Sequence, residues 1–384
     1  MLISMYLMVN FVIKPVSFYR DVSTKLANLS CKTPFGFYDI LGNGDVSACC
    51  CTWLPEIVGN VLTDSADEII NNPTRLKIQE GMKQSKFDYC NDQCPELNLI
   101  LTSGVKRNHW IVPSNELETR LKQSTLVHIG LNYDQSCNLQ CPSCRNEFIY
   151  WNPKDNTYES NRIGTIHEKT KALVNRLLEI HHDQLVTIGI TSSGDAFASV
   201  FYWDYLCELA NNPIPENLRI NLKTNGLLMT KERWMEIEPL LKHISYLDVS
   251  IDAATEETYS KVRKNGIFKK LIKNLEDLDE LVFNKKFPNL IHWQNNFIVQ
   301  EDNFKELKQF VEYETSYKSK HEINITCIAQ WGHMTDEQFK SMAVWQVDHP
   351  HHQELLDILK DPIFRHPWLW LGNLASMLPK QENI

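Results

Sequence analysis

The sequence predicts an α/β protein, an open, partial (β/α)6 TIM-like barrel behind a small N-terminal cysteine-rich β-hairpin module, and three observations carry that reading. From about residue 124 short apolar runs alternate with amphipathic helical patterns, as they do where a parallel sheet is built from βα units. Short polar motifs follow successive runs, at the carboxyl ends of parallel strands where ligand sites lie. Ahead of them, cysteines gather around a glycine-rich turn. A chain of 384 residues has room for one barrel-sized domain of roughly 200 to 250 residues and a smaller one.

Composition narrows the function classes. With 43% hydrophobic and 23% charged residues the chain is globular, neither disordered nor fibrous. A net charge of -9 gives no global electrostatic reason to bind nucleic acid or an anionic membrane. Eleven cysteines, odd in number and tightly clustered in a large chain, suggest metal ligands in a reducing compartment rather than a disulfide scaffold. The stretch Met1 to Ile13 is apolar, lacks the basic flank and cleavage site of a signal peptide, and is too short to span a bilayer. It reads as a strand or a docked arm of a soluble, cytoplasmic protein.

Taken in order, the first region, residues 1–110, carries Cys31, then Phe35 to Cys51 with the turn Gly42-Asn43-Gly44, then Ile57-Val-Gly-Asn60, and closes on Cys90 and Cys94. Gly-Asn-Gly between apolar runs is a strong hairpin signal, so two strands with cysteines at both ends of the ribbon are expected. Polar residues, Pro113 and a charged helical turn mark a linker near Thr102 to Ser124. The barrel follows over residues 124–330. Its six strand candidates are Leu126–Tyr133, Leu185–Ser192, Leu218–Lys223, Tyr246–Ile251, Ile291–Val299 and Ile323–Ala329. Between them Leu173, Val174, Leu177 and Leu178 make one helical stripe, and Phe304, Leu307, Phe310 and Val311 another. Cys207, in a helical pattern, and Cys327, in an apolar strand, read as core residues.

The most informative motif follows the first strand. Cys137, Cys141 and Cys144 form a CxxxCxxC triplet, three soft thiolates able to reach one centre while leaving part of it unligated. A helical face at that spacing is disfavoured by Pro142, which removes a hydrogen bond and clashes with the preceding turn. Tetrahedral zinc with a fourth ligand from elsewhere remains open. Ser193-Gly194-Asp195 follows the second strand, Thr224-Asn225-Gly226 the third, and Ser250-Ile251-Asp252-Ala253 ends the fourth. Singly each is turn chemistry; in order after successive strands they outline one site.

Residues 331–384 form a His- and Trp-rich tail expected to pack on the barrel, close its open side and contribute substrate contacts. His349-Pro-His-His352 comes without an accompanying carboxylate pattern and reads as a capped loop rather than a metal site. No Walker loop, GxSxG, HExxH or Rossmann fingerprint is present, so hydrolysis and phosphoryl transfer have no support.

On the triplet, the ordered strand-end motifs and the run Val249 to Gly266 (VSIDAATEETYSKVRKNG), residues 124 to about 330 resemble the catalytic core of a radical S-adenosylmethionine (SAM) enzyme of the SPASM/twitch subgroup. The resemblance implies that Cys137, Cys141 and Cys144 hold a [4Fe-4S] cluster whose unique iron chelates SAM. It places Ser193, Gly194 and Asp195 at the motif that receives the SAM amino group, with Asp195 one methylene shorter than the family's usual glutamate. Asn225, Ser250 and Asp252 stand where the family contacts the ribose and methionyl end. Ser143 takes the position beside the adenine, where many members have an aromatic residue.

The N-terminal cysteine region resembles a SPASM/twitch auxiliary-cluster module, placed ahead of the barrel where better known members carry it after. The family pattern Gly-x-Val-x-x-Cys maps onto Gly44, Val46 and Cys49, which makes Cys31, Cys49, Cys90 and Cys94 the implied ligands of one auxiliary [4Fe-4S] cluster. Cys50 or Cys51 can stand in for Cys49, and a four-cysteine zinc ribbon fits the spacing nearly as well.

The implied activity is reductive cleavage of SAM to methionine and a 5′-deoxyadenosyl radical, which abstracts hydrogen from a peptide or a small natural-product or sugar substrate. A flavodoxin- or ferredoxin-type protein is the implied electron donor. Oxidation, cross-linking and epimerisation all remain open as outcomes. The region before Cys31 is too short for a winged-helix leader-recognition domain, which weakens the peptide reading. Two further readings stay open: a cluster-containing binding or electron-transfer protein without SAM cleavage, and a zinc-stapled interaction protein.

Overall fold

The computed structural model describes residues 25–379 except 93, 104–109, 124–126, 192 and 331. The apolar stretch Met1 to Ile13, part of the expected linker (104–109 and 124), one end of each of the first two strand candidates (Leu126 and Ser192), and the last residues of the tail (380–384) lie outside the described residues. The chain forms two compact units, one of residues 1–135, 151–193 and 214–220, the other of residues 136–150, 194–213 and 221–384. No helix among the described residues is long and apolar enough to cross a membrane.

The first unit contains β1 (Leu29–Cys31), β2 (Phe37–Ile40), β3 (Asp45–Ser47), β4 (Ile57–Asn60), β5 (Ile111–Pro113), β6 (Val127–Leu131) and β7 (Val186–Ile190). The Gly-Asn-Gly signal folds as read: β2 and β3 pair antiparallel, with Asp39 opposite Ser47. Leu41 N–H donates to Asp45 O at 2.9 Å, and Gly44 sits at φ 88°, in the left-handed region that glycine enters without a Cβ penalty. Two pairings go beyond the sequence reading. β5, inside the stretch read as a linker, returns to pair antiparallel with β1, with Ile111 opposite Cys31. The other edge of β2 pairs parallel with β6, so the hairpin extends the parallel sheet in the order β4-β3-β2-β6-β7. The helix Pro73–Lys83 is tied to this hairpin through Arg75, whose Nη1 donates to Phe37 O at 3.0 Å while its guanidinium lies 3.9 Å from the Tyr38 ring. The helix Tyr158–Ile180 begins where Thr157 Oγ1 accepts from Ser160 N–H at 3.2 Å. Its predicted stripe of Leu173, Val174, Leu177 and Leu178 is buried, each side chain contributing about 1.5–3 kcal/mol.

The division between units falls within β8 (Leu218–Thr224); the second unit then holds β9 (Ile244–Ser250), β10 (His292–Val299), β11 (Glu322–Cys327) and β12 (Leu369–Trp370). β9, β10 and β11 pair parallel in sequence order. The six predicted strands are β6 to β11, their ends matching to within two residues, and the α/β class is that of a partial TIM-like barrel. Alternation along the strands of the second unit separates two faces. One is apolar and covered by helices: Phe297 meets Phe310 of the helix Leu307–Glu314 with ring centroids 4.8 Å apart. Phe304 precedes that helix in a 3-10 turn, Phe304–Glu306, and is buried with the rest of its predicted stripe.

The opposite face is polar. Lys223 Nζ lies 3.0 Å from Asp248, Gln294 Nε2 donates to Asn296 Oδ1 at 2.7 Å, and Asn324 Nδ2 donates to the same oxygen at 2.6 Å. The tail adds β12 beside β11, with Asn324 opposite Trp370. Its histidines do meet carboxylates, against the expectation: His351 Nδ1 lies 2.9 Å from Glu354, three residues on, and His349 and His351 each place Nε2 3.4 Å from the sequence-distant Glu301.

Candidate active site and cluster centres

The loop carrying the triplet is built by its own backbone. Cys137 N–H donates to Ile149 O at 2.9 Å, closing the base, while Cys144 N–H and Arg145 N–H both donate to Cys141 O at 2.9 and 3.1 Å, curling the chain so that the last two cysteines sit one turn apart. Gln140 N–H donates to Lys264 O at 3.1 Å and fixes the middle of the loop against the run Val249 to Gly266. Cys137 and Cys141 are buried and Cys144 is exposed.

Each of the three sulfurs has a nitrogen donor beside it. Asn225 Nδ2 lies 3.6 Å from Cys137 Sγ, Arg263 Nη1 lies 3.7 Å from Cys141 Sγ, and the Arg145 side chain hydrogen-bonds to Cys144. Burial pushes the Cys137 thiol up to about 12, with the Asp195 charge adding to the rise. Burial also raises Cys141, and the Arg263 charge pulls it back down. Thiols so disfavoured as bare anions become thiolates when a cationic metal centre takes the place of their protons.

Asn225 is aimed by the turn it belongs to. Gly226 sits at φ 78°, and a Cβ there would lie 2.5 Å from Leu271 Cδ1, so only glycine fits. Asn274 Nδ2 holds the turn by donating to Gly226 O at 2.7 Å and Leu227 O at 3.0 Å. Asp195, which the motif leads one to expect at the SAM amino group, has both oxygens engaged by the chain itself. Phe197 N–H and Ala198 N–H donate to Oδ1, each at 2.9 Å; Thr224 Oγ1 and Asn225 N–H donate to Oδ2 at 2.9 and 2.7 Å. Four donors fill a carboxylate's acceptor positions. Burial nonetheless raises its pKa, against the pull of those bonds.

Asp252 is likewise engaged. It adopts φ 64°, its Oδ1 accepts from Ile298 N–H at 2.7 Å, and its Oδ2 pairs with Arg263 Nη2 at 2.6 Å. Arg263 was not singled out from the sequence, although it lies inside the Val249 to Gly266 run; the available signal was a cation one short helix beyond Asp252. Two buried polar atoms near Cys141 have no hydrogen-bond partner: Arg263 Nε and Tyr259 Oη. The fit to a cluster with a polar ligand rests on these orphaned groups and on the all-thiol donor set.

In the second unit Gly194 and Ser250, the latter the last residue of β9, are half-buried, and Ser143 is half-buried in the turn between Cys141 and Cys144. Ser193 belongs to the first unit, where its hydroxyl donates to Asn132 O at 3.1 Å.

In the first unit Cys31, Cys49, Cys90 and Cys94 line one apolar cavity, with Trp53 and Phe87 in its wall. Cys31 ends β1 and Cys49 follows β3; the loop from Cys90 to Cys94 is tied down by Asn91, which donates through its backbone to Trp53 O at 3.0 Å and through Nδ2 to Thr52 O at 2.7 Å. Burial raises the Cys49 and Cys90 thiols strongly, the neighbouring cysteine charges add to the rise, and burial pushes Cys94 up to about 12. Cys50 and Cys51 are not in that wall; Cys50 Sγ lies 3.0 Å from Thr52 Oγ1. Among the described residues no three His, Cys, Asp or Glu side chains close on a point as a single-ion site does. All eleven cysteines are free thiols.

Comparison with known proteins bears on both centres. The family model of the radical SAM superfamily matches residues 132–313, and that of an iron-sulfur cluster-binding domain, SPASM, matches residues 31–95. Among curated proteins none matches the chain. A solved structure titled "Structure of TYW1 with a lysine-pyruvate adduct bound" is 16% identical over 60% of this chain and 70% of that one, with a TM-score of 0.33, too distant a likeness to bear on function. The two matched models, in the order in which they occur along the chain, make it a radical SAM enzyme, a member of that superfamily whose SPASM iron-sulfur module precedes its catalytic domain.

Proposed function

We propose that this enzyme binds SAM beside a [4Fe-4S] cluster held by Cys137, Cys141 and Cys144 and acts on a polar substrate, a peptide or a small natural-product or sugar compound. The observation that carries the reading is the triplet with a nitrogen donor at every sulfur and two unpartnered buried groups, Arg263 Nε and Tyr259 Oη, near its middle cysteine. Bound there, the cluster supplies the electron that cleaves SAM, and SAM supplies the agent that takes hydrogen from substrate.

The chain's own groups position and exclude. Asp195 holds the loop after β7 to the turn after β8 through its four accepted bonds, which aims Asn225, while Gly194 offers backbone where the family receives the SAM amino group. Asp252 acts on the site through Arg263, and Ser250 and Ser143 offer hydroxyls at the ribose and adenine ends. The polar face of β8 to β11 favours a hydrogen-bonding substrate, since an apolar one would leave Asn324 Oδ1, already buried without a partner, unsatisfied.

The same reading gives the auxiliary [4Fe-4S] cluster to Cys31, Cys49, Cys90 and Cys94, supported by the shared cavity and by the SPASM match over 31–95. It divides the chain into an auxiliary module over 1–110, a radical SAM barrel over 124–330 and a tail over 331–384. The electron comes from a flavodoxin- or ferredoxin-type donor in the cytoplasm, where thiols stay reduced.

The test is 5′-deoxyadenosine formation by anaerobically reconstituted protein given SAM and a strong reductant, with Cys141→Ala alongside. Product from the wild type alone is expected. A second reading, a cluster protein that binds SAM without cleaving it, is favoured by the saturated Asp195 carboxylate; iron-loaded protein that binds SAM yet forms no product with any candidate substrate would establish it.

A further inference from the structure

We infer that Arg263, with Arg145 and Asn225, sets the reduction potential of the cluster at the triplet by donating N–H groups to its three ligand sulfurs, and that Asp252 positions Arg263 to do so. The inference rests on the reading of Cys137, Cys141 and Cys144 as cluster ligands.

The pattern is complete, one donor to each sulfur: Asn225 Nδ2 3.6 Å from Cys137, Arg263 Nη1 3.7 Å from Cys141, and the Arg145 side chain on Cys144. Two of the three are cations. Reduction adds an electron whose charge spreads onto the sulfurs, so a donor or positive charge beside them stabilises the reduced form over the oxidised one. Arg263 has the greatest leverage, because its side chain is only 13% exposed and little water screens it. Its fork is held from the far side: Nη2 lies 2.6 Å from Asp252 Oδ2, and Asp252 is itself fixed by Ile298 N–H on its other oxygen and by Asn303 Nδ2 on its carbonyl at 2.9 Å. The left-handed backbone at Asp252, φ 64°, is the conformation at which these bonds are made. Asn225 is held from behind in the same way, its Oδ1 accepting from Leu227 N–H at 3.1 Å while Nδ2 also donates to Asn138 Oδ1 at 2.8 Å.

The experiment is an anaerobic potentiometric titration of the reconstituted full chain with a low-potential chemical reductant and mediators, followed by electron paramagnetic resonance. The cluster of interest is identified as the signal absent from Cys141→Ala. At the wild-type midpoint potential, the reduced-to-oxidised ratio of that signal is expected to fall about tenfold in Arg263→Gln, equivalent to about 59 mV for a one-electron couple. Arg263→Lys, which keeps the charge but loses the fork, should recover part of the fall. Because Asp252→Asn also removes a negative charge that acts on Cys141, positioning is read as coupling, and Arg263→Gln should lower the ratio less in the Asp252→Asn background than in the wild type, with iron content unchanged. If Arg263→Gln does not accumulate as folded protein, Arg145→Gln on the partly exposed loop carries the test with a smaller fall in the same direction. An intact, Cys141-dependent signal with the wild-type ratio in both arginine variants overturns the inference alone. No Cys141-dependent signal in the wild type overturns the reading of the triplet, and the inference with it.

Discussion

At the scale of single residues, the two aspartates at the ends of the sheet strands behave as internal braces. Asp195→Asn turns an acceptor into an N–H2 group facing two buried donors, so it should destabilise the protein by about 2–4 kcal/mol in urea titration and lower SAM affinity in parallel. Asp39 makes a prediction in pH. Burial pushes its carboxyl up to about 7, against the bond from Asn132 that lowers it. Between an unfolded pKa of about 4 and that value the folded state binds the extra proton, so stability falls as pH rises, by up to about 1.4 kcal/mol per unit, and levels off above about 7. Asp39→Asn should flatten the difference in urea midpoint between pH 5 and pH 8. The thiol triplet was legible because its three ligands are local in sequence. Arg263 lies 122 positions from Cys141, and no spacing within the chain announces a contact at that distance.

At the scale of elements, glycines show where backbones must pass close. A Cβ on Gly130 in β6 would lie 2.5 Å from Asp39 Oδ1 on the paired strand β2. Gly130→Ala should cost about 1–3 kcal/mol, and combining it with Asp39→Ala should cost less than the sum of the two single changes, as a double-mutant cycle of urea midpoints would record. The six βα strands were legible from their apolar runs and the β2–β3 hairpin from its Gly-Asn-Gly turn, since both signals are local. The parallel partner of β2 was not, because the turn specifies only the inner edge of a hairpin and leaves the outer edge to a distant strand. β5 escaped for a related reason: three residues carry no measurable period, and its partner β1 lies on the far side of the cysteine loops.

At the scale of the molecule, the two centres sit in separate compact units, with the four cavity cysteines in one and the triplet in the other. Replacing all three triplet cysteines by alanine should therefore remove about four of about eight iron atoms per chain and leave the remainder, as iron and sulfide analysis would show. Replacing Cys31, Cys49, Cys90 and Cys94 should do the converse. The order of the family models along the chain was legible because each carries its own cysteine pattern; the division through β8 was not, since a strand reads the same on either side of a boundary. The parallel partnership of β2 with β6 bears on how the chain is born. Translation delivers Ile40 long before Val127, and at about 5–20 residues per second the outer edge of the nascent hairpin waits roughly 4 to 17 seconds for its neighbour to leave the ribosome. Cys31 precedes that interval and Cys49, Cys90 and Cys94 emerge within it, so early seating of a cluster would hold the hairpin in shape while its bare edge is still open to other nascent chains.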